Sequence, residues 1–560
     1  MKSYIVALSI AILAACSTPQ KDQPAVQSAD DGIYDQIEFD MPRVTEPVIP
    51  NYEVSLSDFG GVGDGITLNS DAFAKAISHL SEKGGGKLIV PRGIWLTGPI
   101  TLKSNLNIHL ESGALIQFSA DKELYPLIAT SFEGLETYRC ISPINGINLE
   151  NISITGQGTI DGAGDAWRAV KKSKMSPSQW NKLVKSGGIL SEDGRIWYPS
   201  EEYRRGSEGT GMFNVPQGSS KEEFEKIKDF LRPVMVSIVK SKNVMLDGPT
   251  FQNSPAWNLH PLMCENVILR NLSIRNPWYS QNGDGLDLES CKNSLVYNNV
   301  FDVGDDAICI KSGKNEDGRK RGMPTENAII KNNIVYHGHG GFVVGSEMSG
   351  GVKNIHVSKC TFMGTDVGLR FKSTRGRGGV VENIYISDID MTNIPTEPIR
   401  FNLFYGGQSP VLEEDQEQAQ PDEEMVPVTE ETPSFKDIYI KNVTAINSGS
   451  AGYFQGLPEM NLKNINIENV LLDGKKGISM IDADGVTFKN VKVTVRKGNP
   501  LVAYNVKNVK VENFSGSSEN TAELVKVLGT KTADVDLSSA GLEASEIKIG
   551  SEVEASKVKL

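Results

Sequence analysis

The chain has 560 residues, with 70 acidic against 57 basic side chains and a formal charge of −13 at pH 7. That balance excludes nonspecific binding to nucleic acid, and a polyanionic partner would have to be met by a local basic cleft. The length admits several compact domains, yet no break in composition divides the chain after residue 50, so internal periodicity outranks the length prior.

Lys2 precedes an apolar run from Ile5 to Leu13 that is too short to cross a bilayer, and residues 1–15 read as a signal peptide. Leu13-Ala14-Ala15-Cys16 matches the cleavage box of a bacterial lipoprotein. Processing there would leave Cys16 lipidated and the protein anchored outside the cytoplasm, on a periplasmic or outer-membrane surface, with the lipid as its only membrane contact. Residues 16–50 are polar, Pro-containing and unpatterned, which reads as a flexible linker. Next, Asn69 or Ser70 is placed to cap a short helix carrying Phe73, Ile77 and Leu80 on one face and ending before Gly84-Gly85-Gly86.

An Asn or Asp followed by alternating aliphatics then recurs, as in Asn243-Val244-Met245-Leu246, Asn266-Val267-Ile268-Leu269, Asn327-Ala328-Ile329-Ile330 and Asn354-Ile355-His356-Val357. The pattern continues through Asn383, Asp437, Asn464 and Asn508. Alternation is the period of a strand, and the Asn, Asp and Gly residues before each strand supply turns. A β-propeller would need longer blades, and a β-sandwich would not repeat one cue at this interval. The reading is all-β: a right-handed, single-stranded parallel β-helix over residues 51–540, closed at its N-terminal end by the short helix.

Two insertions interrupt the repeat. That at about 163–232 is rich in Trp, Tyr and basic residues, including Trp167, Lys171, Lys172, Trp180, Trp197 and Tyr198. It reads either as a wall over one end of a cleft, with aromatic platforms for sugars, or as a decorating subdomain. That at 405–434 is acidic, with Glu413, Glu414, Asp415, Glu423 and Glu424, and reads as a solvated loop. Residues 541–560 form a C-terminal tail or cap. Apart from Cys16, the cysteines are Cys140, Cys264, Cys291, Cys309 and Cys360, without the close spacings of a metal or disulfide framework, and they read mainly as buried thiols.

The chemistry gathers in four motifs on successive repeats: Asn282-Gly283-Asp284, Gly304-Asp305-Asp306, Gly338-His339-Gly340 and Arg370-Phe371-Lys372. Glycosidic cleavage needs a proton donor for the leaving oxygen and a base for water, and Asp284, Asp305 and Asp306 supply carboxyls for both. Strict alternation with Leu286 and Leu288 would aim Asp284 inward, and Ile308 with Ile310 would do the same to Asp306. A bend or bulge is therefore expected just before each strand, eased by Gly283, Gly285 and Gly304. Val367, Leu369 and Phe371 take the inward face of the last motif, so Arg370 and Lys372 point outward together, natural ligands for a sugar carboxylate. Arg370 should stand about three strand spacings, roughly 14 Å, from Asp284.

In order, these motifs resemble the signature of the glycoside hydrolase family that contains polygalacturonases, and the stretch from Asp58 to Gly65 with Val90-Pro91-Arg92-Gly93 looks like the start of such proteins. The resemblance spans residues 51 to 515, with Gly283 standing where Thr is common. It implies an inverting hydrolase of the α-1,4-galacturonosidic bonds in pectin, resembling bacterial exo-acting members. Its substrate would be a pectic polysaccharide or oligogalacturonide, and it would need no cofactor or metal; a monomer is expected. It assigns Asp305 as acid, Asp284 and Asp306 as bases and His339 as a catalytic support, with His337 the local alternative. Arg370, Lys372 and Asn282 would bind substrate, as would Trp257 and His260 of Ser254–Pro261, which otherwise read as core and as a turn brace. The rivals are a rhamnogalacturonan or xylogalacturonan hydrolase of the same fold, a calcium-dependent pectate lyase, and a noncatalytic carbohydrate-binding β-helix.

Overall fold

The recurring Asn cue has a physical basis that the strands alone do not reveal. Asn266, Asn293, Asn327, Asn354 and Asn383 all take up left-handed backbone, with φ between 55° and 57°, a conformation that Asn tolerates better than other residues with a side chain. Their amides stack along the fold. Asn327 donates to Asn293 at 3.1 Å, Asn354 to Asn327 at 3.1 Å, and Asn383 to Asn354 at 3.2 Å. One residue type thus turns the chain and hydrogen-bonds to the same turn in the next coil.

The computed structural model describes residues 31–210, 215–216, 218, 220–405 and 425–560. The signal peptide, Cys16 and the acidic residues from Glu413 to Glu424 lie outside the described residues. Asp31–Tyr34 form a short 3-10 turn in a unit of their own, and the chain from Ile37 onward is a single body. That body is a right-handed parallel β-helix, whose strands pair in register from one coil to the next.

Six strands form the face that matters here: β1 (Leu259–Leu262), β2 (Leu286–Glu289), β3 (Ile308–Lys311), β4 (Gly340–Val344), β5 (Val367–Lys372) and β6 (Ile399–Asn402). Their inward residues form columns. Leu286, Ile308, Phe342, Leu369 and Ile399 are successive partners, as are Leu288, Ile310, Val344, Phe371 and Phe401. Phe371 stacks on Phe401 at 4.4 Å between ring centres, and Phe401 on Phe454 at 5.2 Å, so aromatic stacking continues the column. The outward column on the same strands reads Asp287, Cys309, Val343, Arg370 and Arg400.

The N-terminal cap is a helix, α1 (Ser70–Glu82), which buries Ala72, Phe73, Ala76, Ile77 and Leu80. Asn69 precedes it but makes no side-chain cap. Its amide instead accepts from Val62 and donates to the carbonyls of Val62, Thr67 and Leu96, holding the entry loop.

The structure redraws several outlines. The linker expected to run to residue 50 is tied down before that: Glu38 pairs with His356 at 2.7 Å, Phe39 packs near Tyr385, Glu46 pairs with Arg270 at 2.8 Å, and Val48 donates to Asn151. Its polar composition serves these contacts along the β-helix. The expected tail from residue 541 contributes strands, Ile547–Ile549 and Val558–Lys559, each paired parallel to the coil before it. The five cysteines within the described residues are free and buried.

The first insertion is a subdomain with its own core, in which Trp167, Tyr198, Tyr203, Phe224 and Phe230 pack with Tyr125, Leu127 and Cys140. Leu127 and Cys140 come from an antiparallel hairpin, Leu127–Phe132 with Leu135–Cys140, that periodicity had not distinguished, and Tyr125 lies just before it. Trp180 and Trp197 are buried in a second small cluster with Val170. These aromatic rings are core, not platforms for sugars, because burying them is what lets so short a segment hold a fold.

Replacing Asn327 with Ala should lower stability by about 1–3 kcal/mol, through left-handed strain and the lost ladder bond. Asn327→Gly, which relieves the strain but not the bond, should cost less. Urea unfolding midpoints of the two variants check the order.

Candidate active site

The loop before β2 is shaped by close approach. Asn282 supplies the left-handed turn, with φ of 52°. A Cβ on Gly283 would stand 1.9 Å from the Ser280 hydroxyl, so this glycine is needed for packing more than for bending. Asn276 donates to the carbonyls of Gly283 and Asp284, and the buried Arg232 donates to the Gln281 carbonyl and to the Asn282 side chain at 2.8 Å. The inferred irregularity is present: Asp284 and Asp287, three residues apart, put oxygens on one side of the strand, within 4.8 Å of each other and of the Cys309 sulfur.

Asp284, Asp305 and Asp306 also present oxygens within 4.8 Å of one another. This is tighter than the roughly 6.5–9.5 Å expected between the carboxyls of an inverting pair.

The three carboxyls differ in electrostatics. Burial pushes Asp305 up, the adjacent Asp306 pushes it further, and His339, Lys372 and Arg370 pull against them; the net shift is upward. Its oxygens accept backbone N–H bonds from Asn282 at 3.2 Å and Asp306 at 3.0 Å. Burial also acts to raise Asp306, but Lys372 and Arg370 overcome it and hold that carboxyl well below the usual range. Lys372 Nζ lies 2.7 Å from one oxygen and Arg370 Nη1 3.0 Å from the other. Asp284 is pushed well up by burial and then by Asp287 and Asp305.

The cations do not stand free in solvent as alternation suggested. Lys372 is 8% exposed and Arg370 18%, because both fold back onto Asp306 beneath the Tyr405 ring, whose centre is 4.9 Å from Lys372 Nζ. Arg370 reaches across the coils because Gly340 leaves its path open: a Cβ there would be 3.3 Å from the Arg370 Cδ and 3.1 Å from an Asp306 oxygen. The 14 Å separation inferred from strand spacing took no account of this reach of the guanidinium onto Asp306.

His339 is half-exposed and bonds through Nδ1 to Asp366, and this bond, against the cost of burial, raises its pKa. His337 turns away to Asp302 at 2.8 Å. Trp257 and His260 are not at the surface. Trp257 stacks on Phe132 with ring centres 4.7 Å apart, and His260 bonds Glu289 at 2.8 Å in full burial. They support the floor of the site and have no face to offer a substrate. Asp287, Lys311, Asp366, Tyr405 and Arg232 were not singled out from sequence as site residues. Asp287 and Lys311 carried a visible signal, as charges on the outward positions of strands.

Because the Asp366 carboxylate favours the charged ring, His339 should stay protonated as pH rises past 6.5. Asp366→Asn should bring its midpoint down. NMR titration of the imidazole in both proteins checks this, and an unchanged midpoint would count against the pair.

The sequence model for Glycosyl hydrolases family 28 matches residues 208–476. A probable polygalacturonase of Vitis vinifera is 31% identical over 354 residues, and the match spans 61% of either chain. An exo-poly-alpha-D-galacturonosidase of Dickeya chrysanthemi is 28% identical over 82% of this chain and 74% of its own length. The crystal structure of a hyperthermoactive exopolygalacturonase from Thermotoga maritima is 32% identical, covers 85% of this chain and 94% of its own, and superposes with a TM-score of 0.63. On that likeness, which runs through the coils that carry Asp284, Asp305, His339 and Arg370, the chain belongs to glycosyl hydrolase family 28.

Proposed function

We propose that this hydrolase cleaves α-1,4-galacturonosidic bonds of homogalacturonan or its oligomers from a chain end, by a single displacement that inverts the anomeric carbon. The observation that carries the chemistry is the opposed environments of two adjacent residues. Asp305 is pushed toward its neutral form, and Asp306 is clamped as an anion by Lys372 and Arg370. Neighbouring carboxyls whose pKa values diverge are suited to separate acid and base roles.

Asp305 donates its proton to the glycosidic oxygen, while Asp284 and Asp306 hold the attacking water and accept its proton. The His339 ring, kept cationic by Asp366, stands where it stabilises the Asp305 carboxylate that forms. The acid works only while protonated, so turnover falls as pH rises through the raised pKa of Asp305. The same cations favour a substrate whose sugars carry carboxylates. Since Arg370 also holds Asp306, its contribution extends from binding to the chemical step.

The chain-end reading is supported by the exo-acting names of the Dickeya and Thermotoga relatives. It is also supported by the way the first insertion grips the loop before Asp284. Arg232 anchors Asn282, and Lys174 sits 4.6 Å from the exposed ring of Trp278 on that loop.

Digestion of defined oligogalacturonides tests the reading. Mono- or digalacturonate should appear from the first minutes, with its new reducing end in the β form by NMR, and a calcium chelator should have no effect. Asp305→Asn should fold and lose roughly 10²–10⁴-fold in turnover. An early ladder of intermediate oligomers would overturn chain-end action, an α product would overturn inversion, and an unsaturated, calcium-dependent product would overturn hydrolysis.

The cleavage box ending at Cys16 supports a second proposal, that the mature enzyme is a lipoprotein tethered outside the cytoplasm. Cys16→Ser should move the protein from the membrane fraction to the soluble one; unchanged fractionation would reject the anchor.

A further inference from the structure

Directly beneath the reacting groups lies a carboxyl that has an ammonium nearby but no hydrogen bond. Asp287 is completely buried on β2, and among the described residues neither of its oxygens finds a hydrogen-bond donor. The Oδ1 atom of Asp284, also buried, is unpaired as well. The two groups approach within 4.8 Å. A buried carboxylate without a hydrogen bond is among the costliest groups a fold can contain, and two side by side are costlier still.

The groups that face Asp287 do not relieve it. Lys311 on β3 is the nearest cation, but its ammonium bonds Glu347 at 2.8 Å and stands 3.5 Å from Asp287, with the ring of Trp257 at 4.7 Å on its flank. One ammonium therefore serves two carboxyls and is nearer the other. Glu289 on the same strand is satisfied by His260 of β1 and by Arg321 at 2.6 Å. Cys309, the register partner of Asp287, donates its thiol to the Gly345 carbonyl, and Asp306 beyond it is held by Lys372 and Arg370.

A single proton gives one Asp287 oxygen and the Asp284 Oδ1 a hydrogen bond to each other. We propose that Asp287 is a positioning residue, carried in its protonated form, whose hydroxyl donates to the Asp284 carboxylate and so holds that base ionised and oriented toward the water. The donated bond gives Asp287 its partner and fills the open site on Asp284 Oδ1. Without that proton, Asp284 would itself have to be protonated in so buried and acidic a cluster, and it would no longer serve as a base. Burial raises both groups, on Asp287 against the pull of Lys311 and on Asp284 with the added push of Asp287, which agrees with a proton held in this pair. This role rests on the hydrolase reading above, although the proton itself can be detected without turnover.

The test compares Asp287→Asn, which keeps a donor toward Asp284, with Asp287→Ala, which removes it, in the full-length enzyme with trigalacturonate as substrate. Asp287→Asn should hold kcat within about tenfold of the wild type, whereas Asp287→Ala should lower it by more than about tenfold with KM little changed, as expected when one oriented hydrogen bond is lost at the chemical step. Infrared spectra at pH 7 should contain the carbonyl stretch of a protonated carboxylic acid that Asp287→Asn abolishes and Asp305→Asn does not. If no such band depends on Asp287, or if the Asn and Ala variants are equally impaired, the shared proton is wrong. A wild type that leaves galacturonates uncut, yet retains the band, would instead overturn the hydrolase reading and leave the proton in place. Should Asp287→Ala fail to fold, the band in the near-isosteric Asn variant still decides.

Discussion

Parallel strands stacked in register make neighbours of residues that are far apart in the chain. Each coil adds one strand spacing of roughly 4.8 Å, so outward positions on successive coils face a common cleft. Asp287, Cys309, Val343, Arg370 and Arg400 occupy one such column. The site follows from this constraint, as does the inner column of aliphatic and aromatic side chains that fixes the register.

Within that frame, charge compensation decides which carboxyl does what. Among the described residues two cations bond to Asp306, while Asp305 accepts only from backbone N–H groups. Two residues adjacent in sequence thus acquire opposite proton affinities. The arrangement depends on Gly340, whose missing Cβ leaves the Arg370 side chain room to cross the coil. A layer below, Lys311, Glu347, Glu289, His260 and Arg321 form a buried network of charges around Trp257. Such networks are costly unless nearly every member is paired. Asp287, which has no hydrogen bond among the described residues, is the exception in this one, and it lies against Asp284.

The first insertion illustrates how a decorating segment acquires influence over a site that it does not line with its own core. Its aromatic residues are spent on folding the subdomain. What reaches the cleft loop is Arg232, through the carbonyl of Gln281 and the side chain of Asn282, and Lys174 over Trp278. The loop that positions Asp284 is therefore held from outside the β-helix.

The sequence by itself determined the strand period, the Asn turns, the capping helix and the order of the four motifs, because each is a local pattern whose spacing has one structural meaning. It also pointed to an irregularity at Asp284, since alternation with Leu286 would otherwise turn that carboxyl inward. Only the tertiary structure decided that Arg370 and Lys372 close on Asp306, that His339 rather than His337 lies beside Asp305, and that Trp257 and His260 are buried beneath the site. Those outcomes depend on long side chains reaching across coils and on which ring finds a carboxylate, Asp366 or Asp302, in a neighbouring loop. The polar stretch ahead of Pro50 read as free linker for a related reason: Glu38 and Glu46 find His356 and Arg270 more than two hundred residues away, and no pattern within the stretch encodes its partners.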